Sequence, residues 1–352
     1  MPHKVDKFFM MKPDLIGDPD MHLGAKLRRV TLPNGVEAWS LSPSKCVQEA
    51  VKTMEDHLHK ECDGRRLKKR AMTPFPKDHR PELDLSEELG PAQASLCQTC
   101  IGVLRWMVEL GRIDMIAKVS LLASQLALPR VGHLEVTCHL CAHLKIEHNS
   151  RMVFDPTCPT ADLSQFKECD WKGFYGEAKE AIPSNAPPPR GKEVDTRLFV
   201  DSDHAGDKVT RRSRTGFFIF LNMAPVAWDS KKQNAIETSV FGAEFVAMKV
   251  GMETMRGLRC KLRMMGVPLT GPSHFCGDDM SVVHNTQRPE SMLKKKSNSI
   301  CHHAVREAVS MGECVTGHVR SEANPADICA KVAPGGAKRD TLLSMVLYDL
   351  AD

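Results

Sequence analysis

Four carboxylates lie at the ends of predicted secondary-structure elements, where side chains from distant parts of a chain can meet. Asp201 ends a predicted strand, Glu244 lies beside the apolar face of a long predicted helix, and Asp278 follows another predicted strand. Asp327 lies in the first turn of a further predicted helix. A buried ionised carboxylate is costly unless a counter-charge or a cation compensates it. A convergent set of such groups would suit Mg²⁺, which prefers hard oxygen ligands and keeps several of its waters.

The chemistry that this set predicts is metal-dependent hydrolysis of a phosphodiester. In-line attack needs a hydroxide nucleophile and a stabilised leaving oxygen, and two magnesium ions roughly 4 Å apart supply both. Taken singly, three of the acids also have structural interpretations: Asp201 as a turn residue, Glu244 as a helix residue that reaches water or pairs with Arg or Lys, and Asp327 as a stabiliser of a helix N terminus. The prediction therefore rests on the four acids together.

The elements that must position these acids begin at about residue 194. Hydrophobic patterning predicts three short strands over residues 198–200, 216–221 and 225–228, followed by a long helix over 238–265. A strand (273–277), two helices (280–286 and 300–310), a strand (313–319) and a helix (324–332) that Asn324 caps come next. This order predicts an α/β domain whose first three strands form antiparallel hairpins.

The N-terminal half has a different pattern. An Asn34-Gly35 turn between residues 25–32 and 36–41 predicts a hairpin, and helical periodicity follows from Ser44 and again over 92–145. Prolines at 183–191 indicate an extended linker. The predicted organisation comprises a tail (1–21), a mostly helical region (22–160), a Pro-rich linker (161–193), the α/β domain (194–335) and a second tail (336–352).

Basic charge gathers in two stretches of the α/β domain, although the net charge of the chain is only +4. Residues 205–232 hold six basic and two acidic side chains, and residues 286–306 hold five and one. This pattern is typical of polyanion binding, with solvated loops as the alternative. The candidate nucleic-acid contacts are Arg211, Arg212, Lys231, Lys232, Lys294, Lys295 and Lys296.

Cysteine usage and hydropathy bear on the compartment. Thirteen cysteines scattered among periodic segments indicate reduced thiols, and the sequence has no uncharged apolar run of about 18 residues that would predict a membrane span. Basic residues at 65–70 are a candidate nuclear import patch, with an exposed basic linker as the alternative. We expect an intracellular protein of the cytoplasm, the nucleus or both, without a membrane partner.

Seven ordered motifs in the C-terminal half resemble the ribonuclease H domain of copia-type retrotransposon polyproteins. They are DSDHAGD at 201–207, RRSRTG at 211–216, WDSKKQ at 228–233, AEFVA at 243–247, DDMS at 278–281, HAVRE at 303–307 and ADI at 326–328. The resemblance implies a ribonuclease H-like five-stranded mixed sheet with flanking helices. It also implies that Asp201, Glu244, Asp278 and Asp327 bind two Mg²⁺ ions, with Mn²⁺ as an alternative, and that the substrate is an RNA:DNA hybrid. His303 is a further candidate, as a helper near the scissile strand.

The N-terminal half resembles the connection or thumb-like region that joins the reverse transcriptase palm to the nuclease. The motifs are LG at 23–24, IGVLRW at 101–106 and RID at 112–114. A Tyr-x-Asp-Asp motif is missing from the sequence, so we expect no DNA polymerase activity from this chain alone; the palm would be a partner within a longer polyprotein.

Two hypotheses about function follow. The first is an active hybrid-specific ribonuclease. The second is a truncated, catalytically inactive remnant that at most binds nucleic acid or a partner. Asp279, where the family usually has Asn, adds negative charge beside Asp278 and leaves both open.

Overall fold

The structure is a computed structural model that describes residues 17–61, 64, 66–69, 71, 73–75, 79–160, 163–293, 296–332 and 336–348. Some residues singled out in the sequence lie outside the described residues. They are Arg65 and Arg70 of the candidate import patch and Lys294 and Lys295 of the second basic stretch.

The N-terminal half is an α+β region, as the sequence predicts. Its antiparallel sheet has the order β1-β2-β3-β4, and the Asn34-Gly35 turn joins β2 to β3 with Gly35 at a φ of 79°, a conformation that favours glycine. The strands are β1 (Met21–His22), β2 (Ala25–Thr31), β3 (Glu37–Ser42) and β4 (Met152–Phe154). The helices are α1 (Ser44–Glu61), α2 (Pro91–Glu109), α3 (Ile116–Ala123) and α4 (Val131–Ile146).

The segment that leads to the second half packs against it. It contains the short helix α5 (Lys172–Tyr175), and the buried Trp171 lies under the guanidinium of Arg306, 4.9 Å from the ring centroid. Glu180 accepts hydrogen bonds from Arg259 at 2.7 and 2.8 Å. The first part of the predicted linker, residues 163–180, is therefore anchored to the C-terminal domain by a cation–π contact and an ion pair.

The C-terminal half contains a five-stranded mixed sheet of order β7-β6-β5-β8-β9. Strands β5, β6 and β7 pair antiparallel, whereas β8 lies parallel to β5 and β9. The strands are β5 (Thr196–Asp203), β6 (Arg214–Leu221), β7 (Ala224–Lys232), β8 (Ser273–Gly277) and β9 (Cys314–His318). The helices are α6 (Val240–Met264), α7 (Met280–Gln287), α8 (Ser299–Ser310), α9 (Asp327–Ala330) and α10 (Ala337–Ser344). The predicted fold class, an α/β domain with a five-stranded mixed sheet and flanking helices after a mostly helical α+β region, is confirmed.

Alternation along β5 directs its side chains to two different layers. Leu198 and Val200 pack in one apolar cluster with Phe245 and Met248 of α6, and Gly251 lets that helix approach closely. A Cβ at position 251 would lie 2.9 Å from the Leu198 side chain. The α6 layer is thus packed tightly enough to fix the position of its first turns, which carry Glu244.

The other face of the sheet belongs to the core of the N-terminal half. Phe218 and Phe220 of β6 and Ile328 and Cys329 of α9 lie in one cluster with residues of α2, α3 and α4. Trp228 Nε1 donates to the Val108 carbonyl at 3.2 Å, and Arg214 donates to the Ser120 hydroxyl. The two halves therefore share one hydrophobic core.

None of the helices in the described part of the chain is long and apolar enough to cross a membrane.

Candidate metal centre

Three of the four predicted carboxylates meet at one end of the C-terminal sheet. Asp201 lies on β5 and Asp278 directly follows β8, and because these strands are parallel neighbours their carboxyl ends adjoin. Glu244 comes from the second turn of α6, whose cap Ser239 accepts a hydrogen bond from the Gly242 amide. One oxygen from each of the three carboxylates lies within 4.8 Å of the others. Asp201 and Glu244 are buried, and Asp278 is half-buried at the wall of a groove of about 540 Å³.

Glu244 is held in place by the strand it faces. Its Oε1 accepts hydrogen bonds from the Ser202 amide at 3.0 Å and from the Ser202 hydroxyl at 2.7 Å. Burial and the charge of Asp201 raise the pKa of Glu244 well above its ordinary range, against these hydrogen bonds. Such an environment favours a bound cation, which would compensate the charged carboxylate.

Asp201 has a similar environment. Burial raises its pKa to about 7, and the charges of Asp278 and Asp327 add to that effect against the opposing ammonium of Lys331. Its Oδ2 is buried and accepts no well-aligned hydrogen bond within the described chain, although Lys331 Nζ lies 2.9 Å away. An under-coordinated carboxylate oxygen beside two further carboxylates fits a divalent ion with oxygen ligands.

The fourth carboxylate, Asp327, binds two lysines. Its Oδ1 accepts from Lys331 Nζ at 2.8 Å, and its Oδ2 lies 3.1 Å from Lys338 Nζ. Lys331 also donates to Asp201 Oδ1 at 3.0 Å, so that its ammonium bridges the two aspartates. Burial alone would lower the pKa of Lys331, but Asp201 and Asp327 raise it above its ordinary value. The sequence indicates only one part of this contact, the i,i+4 spacing between Asp327 and Lys331 on a helix. It does not indicate the contact of Lys331 with Asp201.

The local structure around Asp327 differs from the sequence-based prediction. The helix α9 begins at Asp327 itself, with Ala326 as its cap, instead of at Asn324. Asn324 donates from Nδ2 to the Val200 carbonyl at 2.9 Å and accepts from the Ala326 amide at 3.2 Å. Asn324 therefore holds the chain before α9 against β5, because the Val200 carbonyl of that strand accepts a hydrogen bond from its side-chain amide.

Asp279 caps a helix and so has a different role from its neighbour. Its Oδ1 accepts from the amides of Ser281 and Val282 at 2.7 and 3.1 Å. Asp278 instead accepts from the Ser321 hydroxyl at 2.6 Å and faces the groove. Asp and Asn are nearly equal as helix caps, which gives a physical reason for the exchange noted in the sequence.

The histidines are placed differently from each other. His303 lies on the exposed side of α8, where its Nδ1 is 2.7 Å from the Tyr175 hydroxyl, and it is not among the described residues that line the groove. His204 lines the groove and bonds the Glu237 carbonyl at 3.1 Å. His318 ends β9 and pairs in register with Gly277, beside Asp278. Sequence reasoning singled out neither His204 nor His318.

The first basic stretch lies at the same end of the sheet as the carboxylates. The register places Asp203, Arg214 and Lys232 side by side on β5, β6 and β7. Arg211 and Lys231 are exposed there, Arg212 is half-buried, and Lys232 pairs with Asp207 at 3.0 Å. In the second stretch Lys296 is exposed just before α8.

Comparison with known proteins relates part of the chain to transposon polyproteins. Over 142 residues, 40% of the chain, it is 27% identical to the retrovirus-related Pol polyprotein from transposon RE1 of Arabidopsis thaliana. Over 144 residues it is 26% identical to that from transposon TNT 1-94 of Nicotiana tabacum. The chain spans about a tenth of the length of these polyproteins. The predicted resemblance to copia-type Pol polyproteins is confirmed for this part of the chain.

No protein-family model matches the chain. Among solved structures, the N-terminal RNase H domain of a Mycobacterium tuberculosis protein is similar at 12% identity and a TM-score of 0.31, covering 44% of this chain and 96% of that one. RNase H1 of Halobacterium salinarum is similar at 14% identity and a TM-score of 0.30, covering 40% and 95%.

Proposed function

We propose that this chain is a divalent-metal-dependent ribonuclease that hydrolyses the RNA strand of RNA:DNA hybrids. The observation that carries the proposal is the convergence of Asp201, Glu244 and Asp278 from three separate elements at the wall of an open groove. The similarity to transposon Pol polyproteins, which are named as retrovirus-related, supports the same conclusion and suggests a longer polyprotein with a reverse transcriptase palm as the context.

The residues around the site have distinct tasks in this proposal. Bound Mg²⁺ or Mn²⁺ would act as a Lewis acid that makes a hydroxide nucleophile available and stabilises the leaving oxygen, with two ions as the full complement. Asp201, Glu244 and Asp278 would hold the ion, while Ser202 and Ser321 orient two of these carboxylates by hydrogen bonds. Outer hydrogen bonds of this kind fix the direction of a metal ligand. Asp327 would join as the fourth carboxylate once its lysines release it, and His303 remains a helper candidate.

The substrate would be recognised by its backbone. An A-form helix offers phosphates and 2′-hydroxyl groups to a protein and hides its base edges in a deep, narrow major groove. Arg211 and Lys231, which are exposed at the carboxylate end of the sheet, are suited to the phosphates. The proposed contacts are Arg211, Arg212, Lys231, Lys232, Lys294, Lys295 and Lys296.

The test is cleavage of a labelled RNA:DNA hybrid by the full chain in Mg²⁺. Asp201→Asn removes a charged ligand but keeps the shape of the side chain, and we expect it to lower the rate at least about 100-fold, since loss of even an outer-shell partner costs 10- to 100-fold. Asp56→Asn, an exposed acid on α1, is the matched control and should cleave like the unmodified chain. If the unmodified chain cleaved the hybrid no faster than Asp201→Asn, the proposed ribonuclease activity would be refuted.

One observation favours the inactive alternative, a nucleic-acid-binding remnant. The ammonium of Lys331 lies between Asp201 and Asp327, where it would compete with a second divalent ion for these two carboxylates. Hybrid binding with a strong salt dependence, but with no cleavage in Mg²⁺ or Mn²⁺, would support this alternative.

A further inference from the structure

Lys331 occupies one side of the carboxylate cluster. Its Nζ lies 2.8 to 3.0 Å from oxygens of Asp201 and Asp327, which are distances of direct ion pairs. Lys338 binds the second oxygen of Asp327, so both oxygens of this carboxylate have a lysine partner. The Glu244 and Asp278 side of the cluster has no such ammonium contact among the described residues.

The two sides of the cluster therefore differ in charge. A divalent ion among Asp201, Glu244 and Asp278 meets three carboxylates, of which Asp201 alone has a lysine contact among the described residues. A second ion between Asp201 and Asp327 would meet a positive charge already seated there, and like charges a few ångströms apart in a partly buried site repel strongly. The Lys331 side chain is 38% exposed, so its ammonium can move from the carboxylates into solvent.

We propose that Lys331 is a built-in occupant of the second cation position, so that the substrate-free protein binds one divalent ion tightly and admits a second only when the ammonium leaves. This inference rests on the proposed metal-dependent function. Lys331 is then a positioning residue that controls the order in which the two ions bind. The proposal also explains why only three of the four acidic residues are available to a cation in the substrate-free protein.

The experiment counts ions directly. The full chain is titrated with Mn²⁺ in the absence of nucleic acid, and the free ion is measured by electron paramagnetic resonance. We expect one tight site in the unmodified chain and two in Lys331→Met, with the second ion at least about tenfold tighter than in the unmodified chain. Lys249→Met, which removes a surface lysine paired with Glu253 on α6, is the matched control and should keep one site.

A second readout guards against a misfolded variant. Without metal, Lys331→Met leaves the acids uncompensated and should melt at a lower temperature, and Mn²⁺ should raise its melting temperature more than that of the unmodified chain. Lys331→Gln, which is polar and uncharged, should behave like Lys331→Met in both measurements.

The outcomes separate the inference from the proposed function. Two equal sites in the unmodified chain, or one site in both it and the Lys331 variants, would overturn the role of Lys331 while leaving a metal site intact. Absence of bound Mn²⁺ from every variant would overturn the metal-dependent function and the inference together. A gain of a second site in both Lys331 variants but not in Lys249→Met would establish the inference.

Discussion

The carboxylates of the site differ in what surrounds them, and their surroundings decide what each can do. Glu244 accepts two hydrogen bonds from Ser202, and Asp278 accepts one from Ser321, so hydrogen bonds orient both side chains, and neither contacts an ammonium group within the described residues. Asp201 is shared between the acidic cluster and Lys331, and Asp327 binds lysines on both oxygens. At the scale of single residues, Lys331 already contacts Asp201, which is one of the three carboxylates that we propose as cation ligands.

The raised pKa of Asp201 predicts how the stability of the metal-free protein depends on pH. A carboxyl with a pKa of about 7 when folded and about 3.9 when unfolded binds more protons in the folded state between these values. Its stabilising contribution is therefore full below about pH 4 and is lost as the pH rises through about 7. We expect the free energy of unfolding in a chelator to fall across this window, and Asp201→Asn to flatten the profile.

Metal binding should show the opposite trend, because the ion binds the ionised carboxylate. Mg²⁺ affinity is expected to rise with pH up to about 7, so saturating Mg²⁺ should reverse the loss of stability. Urea unfolding at several pH values, with and without Mg²⁺, measures the stability of the metal-free protein and the stabilisation that the ion adds. Identical profiles for the unmodified chain and Asp201→Asn would contradict the assignment.

Asp279 gives a second prediction at this scale. Because it caps α7, Asp279→Asn should leave the free energy of unfolding nearly unchanged, while Asp279→Ala should cost about 0.5–2 kcal/mol. Chemical denaturation measures the difference. Since Asp279 binds helix amides and does not belong to the three-carboxylate cluster, Asp279→Asn should also cleave hybrid at the unmodified rate; a large change in Mg²⁺ dependence would show that Asp279 is a ligand after all.

At the scale of elements, the packing around Gly216 explains why the RRSRTG motif at 211–216 ends in glycine. It lies opposite Asp201 in the β5–β6 ladder, under the short helix α9 that carries Asp327. A Cβ there would lie 2.4 Å from the Ala330 amide nitrogen and 2.8 Å from the Ala326 carbonyl oxygen, distances at which backbone must move. Only a residue without a side chain lets α9 approach the sheet closely enough for Lys331 to reach Asp201.

Gly216→Ala should accordingly displace α9 and weaken the site. We expect a loss of about 1–3 kcal/mol in the free energy of unfolding, the usual cost of overpacking, together with altered Mn²⁺ binding. Gly173→Ala on α5 is the control, because a Cβ there would meet nothing within 4 Å. Equal behaviour of the two variants would mean that α9 is not packed as described.

The elements of the C-terminal domain were largely predictable because each carries a local signal. The strand over 273–277 agrees with β8 at both ends, and the long predicted helix differs from α6 by two residues at its start and one at its end. Strands β5 and β7 extend beyond the predicted apolar runs because their polar ends continue the ladder beside Asp203 and Lys232. The Lys331 bridge could not be predicted, since it joins residues 130 positions apart through the packing of α9 on β6.

At the scale of the whole molecule, the two halves are bound by one core. On the face of the sheet opposite α6, α3 packs against β7 and α9, and Trp228 of β7 donates a hydrogen bond near the end of α2. One apolar cluster joins Leu104 and Met107 of α2 to Phe218 of β6 and Ile328 of α9. The sequence predicted two regions from their different patterns, but local patterning carries no information about which apolar faces meet. The three-carboxylate cluster lies at the end of a sheet whose second face packs against the N-terminal half.

This shared core predicts that destabilising substitutions in the N-terminal half also affect the candidate metal site. Leu104 on α2 is 1% exposed, and Leu104→Ala should lower the free energy of unfolding by about 2–5 kcal/mol. Val103 beside it is 38% exposed, so Val103→Ala should change stability by about 0.5 kcal/mol or less. Urea unfolding followed by circular dichroism and by release of bound Mn²⁺ should give coincident midpoints that shift together in Leu104→Ala, because a continuous core unfolds as one cooperative unit. If Mn²⁺ release kept its midpoint while the helical signal shifted, the C-terminal domain would be independent of α2, and the N-terminal half would be a neighbour of the candidate site instead of part of its support.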